Sequence, residues 1–170
     1  EATYASRPLS ALRRILDLVR TVERRTSYLA LLLEYPAALR RLVKLADASP
    51  WIASFLAQHP VLLDELLDSR TLYRPPDHDA LAADIRRRLA QAPADDLESQ
   101  IEELCIFKQS NVLRVAAADV TGRLPLMRVS DFLSDIAEIA VNAVVDLAWD
   151  HLVERHGTPV CRLGGAPCER

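Results

Sequence analysis

The sequence predicts an all-α fold, a compact multi-helix bundle with several short proline-initiated helices and two long C-terminal helices. Three observations carry that expectation. Glycine is scarce, four residues in 170 and none before Gly122, and glycine inside a helix costs roughly 1 kcal/mol against alanine. Half of the residues are hydrophobic and 26% are charged, the balance of a globular chain and not of a disordered one. Apolar side chains recur at steps of three and four over most of the length, the period of a helix with one buried face.

The first helix is expected to open near Pro8, since proline suits a first turn whose N–H groups are unpaired anyway. Leu9, Leu12, Ile15, Leu16, Val19 and Val22 form its apolar stripe. Polar residues 23–26 mark a break, and helix resumes over 27–34. Pro36, Pro50 and Pro60 then begin three short helices. Each proline also disfavours helical dihedrals in the residue before it, which ends the preceding helix. Ser49 is placed to cap the second of them. Residues 72–78 (LYRPPDH) read as a stiff loop.

Helix resumes from about Asp79 to Ala92. Asp95 and Asp96 cap a long helix that reaches Val120, with Leu97, Ile101, Leu104, Cys105, Val112, Val115 and Ala116 inward and Gly122 as its stop. Residues 124–129 read as an apolar connector. Ser130 then caps the last helix, which runs to His156 and Gly157. Apolar residues cover most of that helix's circumference, which places it at the centre of the bundle. Asp131, Asp135, Glu138, Asn142 and Asp146 form its polar stripe. The expected organisation is a helical domain over 1–157 and a flexible tail over 158–170. The start at Glu1 and the loop-like tail read as a segment of a longer protein.

Net charge is −3, which argues against a nucleic-acid binder held by a basic surface. The distribution is uneven. Residues 1–44 hold nine Lys/Arg and four Asp/Glu, for +5, and the rest hold twelve and twenty, for −8. Either basic early helices pack beside acidic later ones, or the early helices present a basic docking face. On the second reading Arg13, Arg24, Arg40 and Arg41 are the candidate partner contacts, chosen on charge alone. The acidic stripe of the last helix is a solvated face or receives those arginines. Lys108, Arg114 and Asp119 punctuate an otherwise interior helix and call for partners.

No apolar run reaches the ~18 residues of a membrane span. Three cysteines, Cys105, Cys161 and Cys168, form an odd set without a secretory signal and point to a reducing cytoplasm. His59, His78, His151 and His156 form no HxxxH or HExxH pair, and Cys161 and Cys168 lack a second ligand pair, so no metal site is assigned. There is no phosphate-binding glycine loop and no GxSxG elbow. Trp51 and Trp149 sit on apolar faces and are read as core anchors. No catalytic and no cofactor-binding residue is assigned.

Residues 27–68 (SYLALLLEYPAALRRLVKLADASPWIASFLAQHPVLLDELLD), LYRPP, and 107–138 (FKQSNVLRVAAADVTGRLPLMRVSDFLSDIAE) resemble the bifunctional glutamine synthetase adenylyltransferase/adenylyl-removing enzymes of bacteria. The likeness extends across nearly the whole chain. It implies a parent with two nucleotidyltransferase domains, one attaching AMP to glutamine synthetase and one removing it, with ATP and magnesium used in the parent enzyme outside this chain. It implies a helical region between them that responds to glutamine and to the PII signal protein. The tail RLGGAPCER resembles the approach to the second catalytic domain. The family's Gly-Ser and Asp-x-Asp signature has no counterpart here, so no catalytic residue is carried over. The expected role is a cytoplasmic regulatory linker with the flanking domains, PII, glutamine synthetase and glutamine as partners. The alternatives are a passive helical spacer or interaction module, or a piece that completes a neighbouring active site.

Overall fold

Proline sets the rhythm of the first half. The computed structural model describes residues 8–22, 26–159, 162–163 and 166–167. Helices α1 (Pro8–Val22), α3 (Pro36–Ala48) and α4 (Pro50–Gln58) begin on proline, and a 3-10 segment (Pro60–Leu66) does the same. Between them lies α2 (Thr26–Glu34), and the one-turn α5 (Ser69–Leu72) follows. The second half holds α6 (His78–Gln91), α7 (Leu97–Val120) and α8 (Leu126–His156). The expected break over 23–26 falls mostly outside the described residues, and α2 starts at Thr26.

Local chemistry explains most boundaries. The Ser49 hydroxyl accepts from the Ile52 N–H at 3.3 Å and opens α4. Asp77 accepts from Ala80 at 2.9 Å and opens α6. Asp96 accepts from both the N–H and the hydroxyl of Ser99, at 3.1 and 2.6 Å, and opens α7. Gly122, at φ +69°, closes α7. Its N–H reaches Asp119 O and the next N–H reaches Ala118 O, both at 2.8 Å, the paired bonds of a glycine-terminated helix. Gly157, at φ +78°, closes α8. The Pro60 segment winds more tightly than expected: 3-10 turns bring Leu63 and Leu66 into line, and both are fully buried along with Leu62.

Two expectations fail at the start of α8. The helix begins at Leu126 with Pro125 in the capping position, so residues 126–129 are helix and not connector. Ser130 lies inside the helix and caps nothing. Proline, with its fixed φ, starts the helix four residues before the better side-chain cap.

The described residues form two apolar cores. One joins Leu18, Leu32, Leu42, Leu45, Ile52, Leu56, Leu62, Leu63, Leu66 and Leu72 from the short helices to Leu113 and Ala117. The other joins Leu81 and Ile85 of α6, Phe132, Ile136 and Ile139 of α8, and Leu104, Phe107 and Val115. Helix α7 is common to both. Leu113 lies nine residues beyond Leu104, so at 3.6 residues per turn the two project from opposite sides of the helix. The central helix is therefore α7. The expectation that α8 is central is wrong: α8 packs on α6 and α7, and its buried residues stop at Ile139.

In the tail, Arg162 pairs with Pro167 and Leu163 with Ala166 in a short antiparallel ladder. No described helix is long and apolar enough to cross a membrane.

Candidate functional site

The four arginines chosen on charge do not form one face. Arg24 lies outside the described residues. Arg13 and Arg40 are exposed, on α1 and α3. Arg41 is half-buried and donates to Leu66 O and, at 3.0 Å, to Leu67 O. It caps the C-terminal carbonyls of the 3-10 segment, where a cation meets the negative end of the local dipole. Arg14 does the same for α3, donating to Ala46 O at 2.7 Å. Part of the early positive charge is thus spent on helix ends. Among the described residues, no ion pair links an early arginine to the acidic stripe of α8. Asp131 of that stripe lies 3.8 Å from Arg128 of its own helix.

Charged side chains do tie the two halves together at α7. Arg114 faces Glu65 of the 3-10 segment in a two-point pair, 2.9 Å from Nε to Oε2 and 3.2 Å from Nη2 to Oε1. Both side chains are largely buried. Arg114 also donates to Asn111 Oδ1 at 3.3 Å, and Asn111 donates to Phe107 O at 2.8 Å. On the other side, Arg88 of α6 holds Asp84 at 3.0 Å and reaches Glu103 of α7 at 3.1 Å. Burial lowers the Arg88 pKa, but hydrogen bonds and charge from Asp84 and Glu103 outweigh it, so the net shift is upward and the cation is secure. Beside it, Arg86 donates to Ala82 O and Arg87 pairs with Asp84. Among the described residues, every buried side-chain polar atom has a partner, and no group of three or more His, Cys, Asp or Glu is placed to hold a metal.

An apolar groove of about 580 Å³ lies between the first half of α7 and the second half of α8. Ile101, Leu104 and Cys105 form one wall; Val144, Leu147 and Leu152 form the other; Lys108 and His151 bring the polar atoms. Ile101 and Cys105 were expected inward. They are exposed because α8 does not close over them. Val141, Val144, Val145 and Leu152 on α8 are each more than half exposed, an apolar surface that a solitary helix face does not need. Sequence periodicity marked these residues as apolar, and no sequence signal said that, among the described residues, no helix covers them. Trp51 is a further correction: it is 50% exposed and stacks on Phe55 at 4.7 Å, one turn away.

A family model described as glutamate-ammonia ligase adenylyltransferase matches residues 39–168, which includes both walls of the groove and the Arg114–Glu65 pair. The chain belongs to the glutamate-ammonia ligase adenylyltransferase family. Similar proteins in this family carry the name bifunctional glutamine synthetase adenylyltransferase/adenylyl-removing enzyme. That of Thioalkalivibrio sulfidiphilus is 49% identical over 168 residues, which cover 99% of this chain and 17% of the relative. Those of Pseudomonas aeruginosa and Nitrosococcus oceani are 51% and 52% identical over 162 residues, covering 95% of this chain and 16% and 17% of the relatives. The chain spans about one sixth of the length of the relatives it matches.

Proposed function

We propose that this chain is the helical linker of a bifunctional glutamine synthetase adenylyltransferase/adenylyl-removing enzyme, and that it couples effector state to the two nucleotidyltransferase domains flanking it. The observation that carries the reading is the near-complete match to enzymes so named, over a chain whose structure is two cores spliced on one helix. A rigid α7 with a core on each side is a mechanical element: a shift at one core is delivered to the other through packed side chains and the Arg114–Glu65 and Arg88–Glu103 links. ATP and magnesium belong to the flanking domains on this reading, and glutamine synthetase is the substrate of the whole protein. Glutamine and PII are the effectors, and the setting is cytoplasmic.

Coupling requires that an effector favour one arrangement of the linker over another. Amide exchange on the full-length protein, with and without glutamine and with and without PII, tests this. Peptides from residues 97–156 are expected to change protection with at least one effector. Unchanged exchange there, under conditions where both activities respond, would leave a passive spacer and overturn the reading.

A further inference from the structure

We infer that the segment 60–67 is a two-state element: a 3-10 form clamped by Arg114, and an α form that releases Glu65 and turns Leu67 inward. Its use in regulation rests on the linker reading above; the existence of its two forms does not.

The sequence and the observed winding of this segment disagree. Leu62, Leu63, Leu66 and Leu67 fall within an arc of about 140° at the roughly 100° per residue of an α-helix, one continuous apolar face. At the roughly 120° per residue of a 3-10 helix, Leu63 and Leu66 coincide and Leu67 points to a third side. The structure has the second arrangement over Pro60–Leu66. The Leu62 N–H bonds to His59 O and the Leu67 N–H to Asp64 O, both at 3.0 Å and each three residues back. Leu62, Leu63 and Leu66 are buried, whereas Leu67 is left 39% exposed. Seven residues is long for a winding that rarely exceeds three or four, and leucine and glutamate favour the α form. Local preference and the burial of one more leucine both pull towards α.

Tertiary contacts pull the other way. In the 3-10 form Glu65 lines up with Leu62, one turn back, and meets Arg114 of α7 at 2.9 and 3.2 Å. In the α form Glu65 stands about 60° outside the leucine arc and leaves that partner. Arg41 of α3 grips the end of the segment through the carbonyls of Leu66 and Leu67. The two forms also differ in length: seven residues at about 1.5 Å each instead of about 2.0 Å shorten the segment by about 3.5 Å. Helix α5 follows directly and packs on α7. Just beyond it, the Tyr73 ring carries the Arg123 guanidinium at 4.3 Å, so the change reaches the turn that leads into α8. The segment supplies the discrete pair of states that coupling between sites requires.

Couplings across hydrogen bonds, read by NMR on the deuterated 170-residue chain, identify the carbonyl partner of each N–H. In the parent, the Leu67 N–H is expected to couple to the Asp64 carbonyl. In Glu65→Gln and in Arg114→Met it is expected to couple to the Leu63 carbonyl, and the Leu66 N–H to the Leu62 carbonyl. Val61→Ala combined with Asp64→Ala, at two exposed sites where alanine favours α without touching the clamp, is expected to move the segment the same way. Three-residue couplings that persist in all these variants overturn the inference, as does their loss with no four-residue coupling in their place. In the full-length protein without effectors, Glu65→Gln is expected to change the ratio of adenylylation to adenylyl removal about fivefold or more. Leu67→Ser, which removes the gain of the α form, is expected to change it in the opposite direction; a pair that merely holds the fold would lower both activities together. The α form by NMR with an unchanged ratio keeps the two-state element and removes its regulatory use. Effector-sensitive exchange with no α form in any variant overturns the inference and leaves the linker reading in place.

Discussion

Asp96 illustrates how much one side chain decides at a helix end. Hydrogen bonds from the Ser99 hydroxyl and backbone N–H hold its carboxyl below the ordinary value of 3.8. A folded-state pKa below the unfolded one means that the carboxylate stabilises the fold at all pH values above the ordinary one. That contribution is lost as pH falls through the lowered value. Asp68, bonded first by the Arg70 N–H, follows the same rule. Urea unfolding should therefore show Asp96→Ala less stable than the parent at about pH 6, with the gap narrowing towards about pH 2. Asp96→Asn, which still accepts from the free N–H groups, should stay near the parent at pH 6 and show a flatter acid limb.

Arg114 is the other residue on which much rests. Its partner Glu65 is 49 positions away, so the pair is a tertiary contact and not a helical surface pair. Removing one member leaves a largely buried charge without its match. Arg114→Met or Glu65→Gln alone should each cost about 2–3 kcal/mol in chemical denaturation. The double variant should cost clearly less than the sum, since two neutral side chains leave no charge stranded. Additive costs would mean that the two groups do not act as a pair.

Among the elements, α7 and α8 are a matched contrast. Both are long and rich in aliphatic residues, yet α7 is enclosed by two cores and α8 is enclosed only as far as Ile139. Leu113→Ala should open a cavity in a fully buried site and cost about 3 kcal/mol. Val145→Ala, at a side chain 51% exposed, should stay within about 0.5 kcal/mol of the parent in the isolated chain. Helix starts and stops were readable in the sequence at Ser49, Asp96, Gly122 and Gly157, whereas Asp77, the cap of α6, was read as loop. The start of α8 was not: Ser130 was the expected cap, and the helix starts earlier, behind Pro125. In α1 the expected stripe is rotated. Leu18, outside it, is buried at 1%, whereas Leu12 and Leu16, within it, are 53% and 50% exposed. Sequence spacing finds a stripe, but the neighbours α3 and α4 choose which side of it to cover.

At the scale of the whole molecule, sharing α7 makes two small cores behave as one. Neither can lose its packing without stripping one side of the same helix. The isolated chain should unfold in a single transition, with helicity by circular dichroism and tryptophan fluorescence giving coincident curves. Leu113→Ala in the first core and Leu104→Ala in the second should each move both curves together. Two separate steps would show that α7 does not couple the halves.

The likeness to a bifunctional enzyme family was legible from separated stretches of sequence, and so were the helical class, the proline-started short helices and the lengths of α6 and α7. These follow from local rules: backbone preference, capping and a period of 3.6 act within a few residues. Tertiary structure alone decided that α7 and not α8 is central, that Arg41 caps a neighbouring segment, and that Ile101, Cys105 and Val144 face an open groove. Burial depends on which surfaces meet across the chain, and an apolar residue has the same local signature whether or not another element covers it.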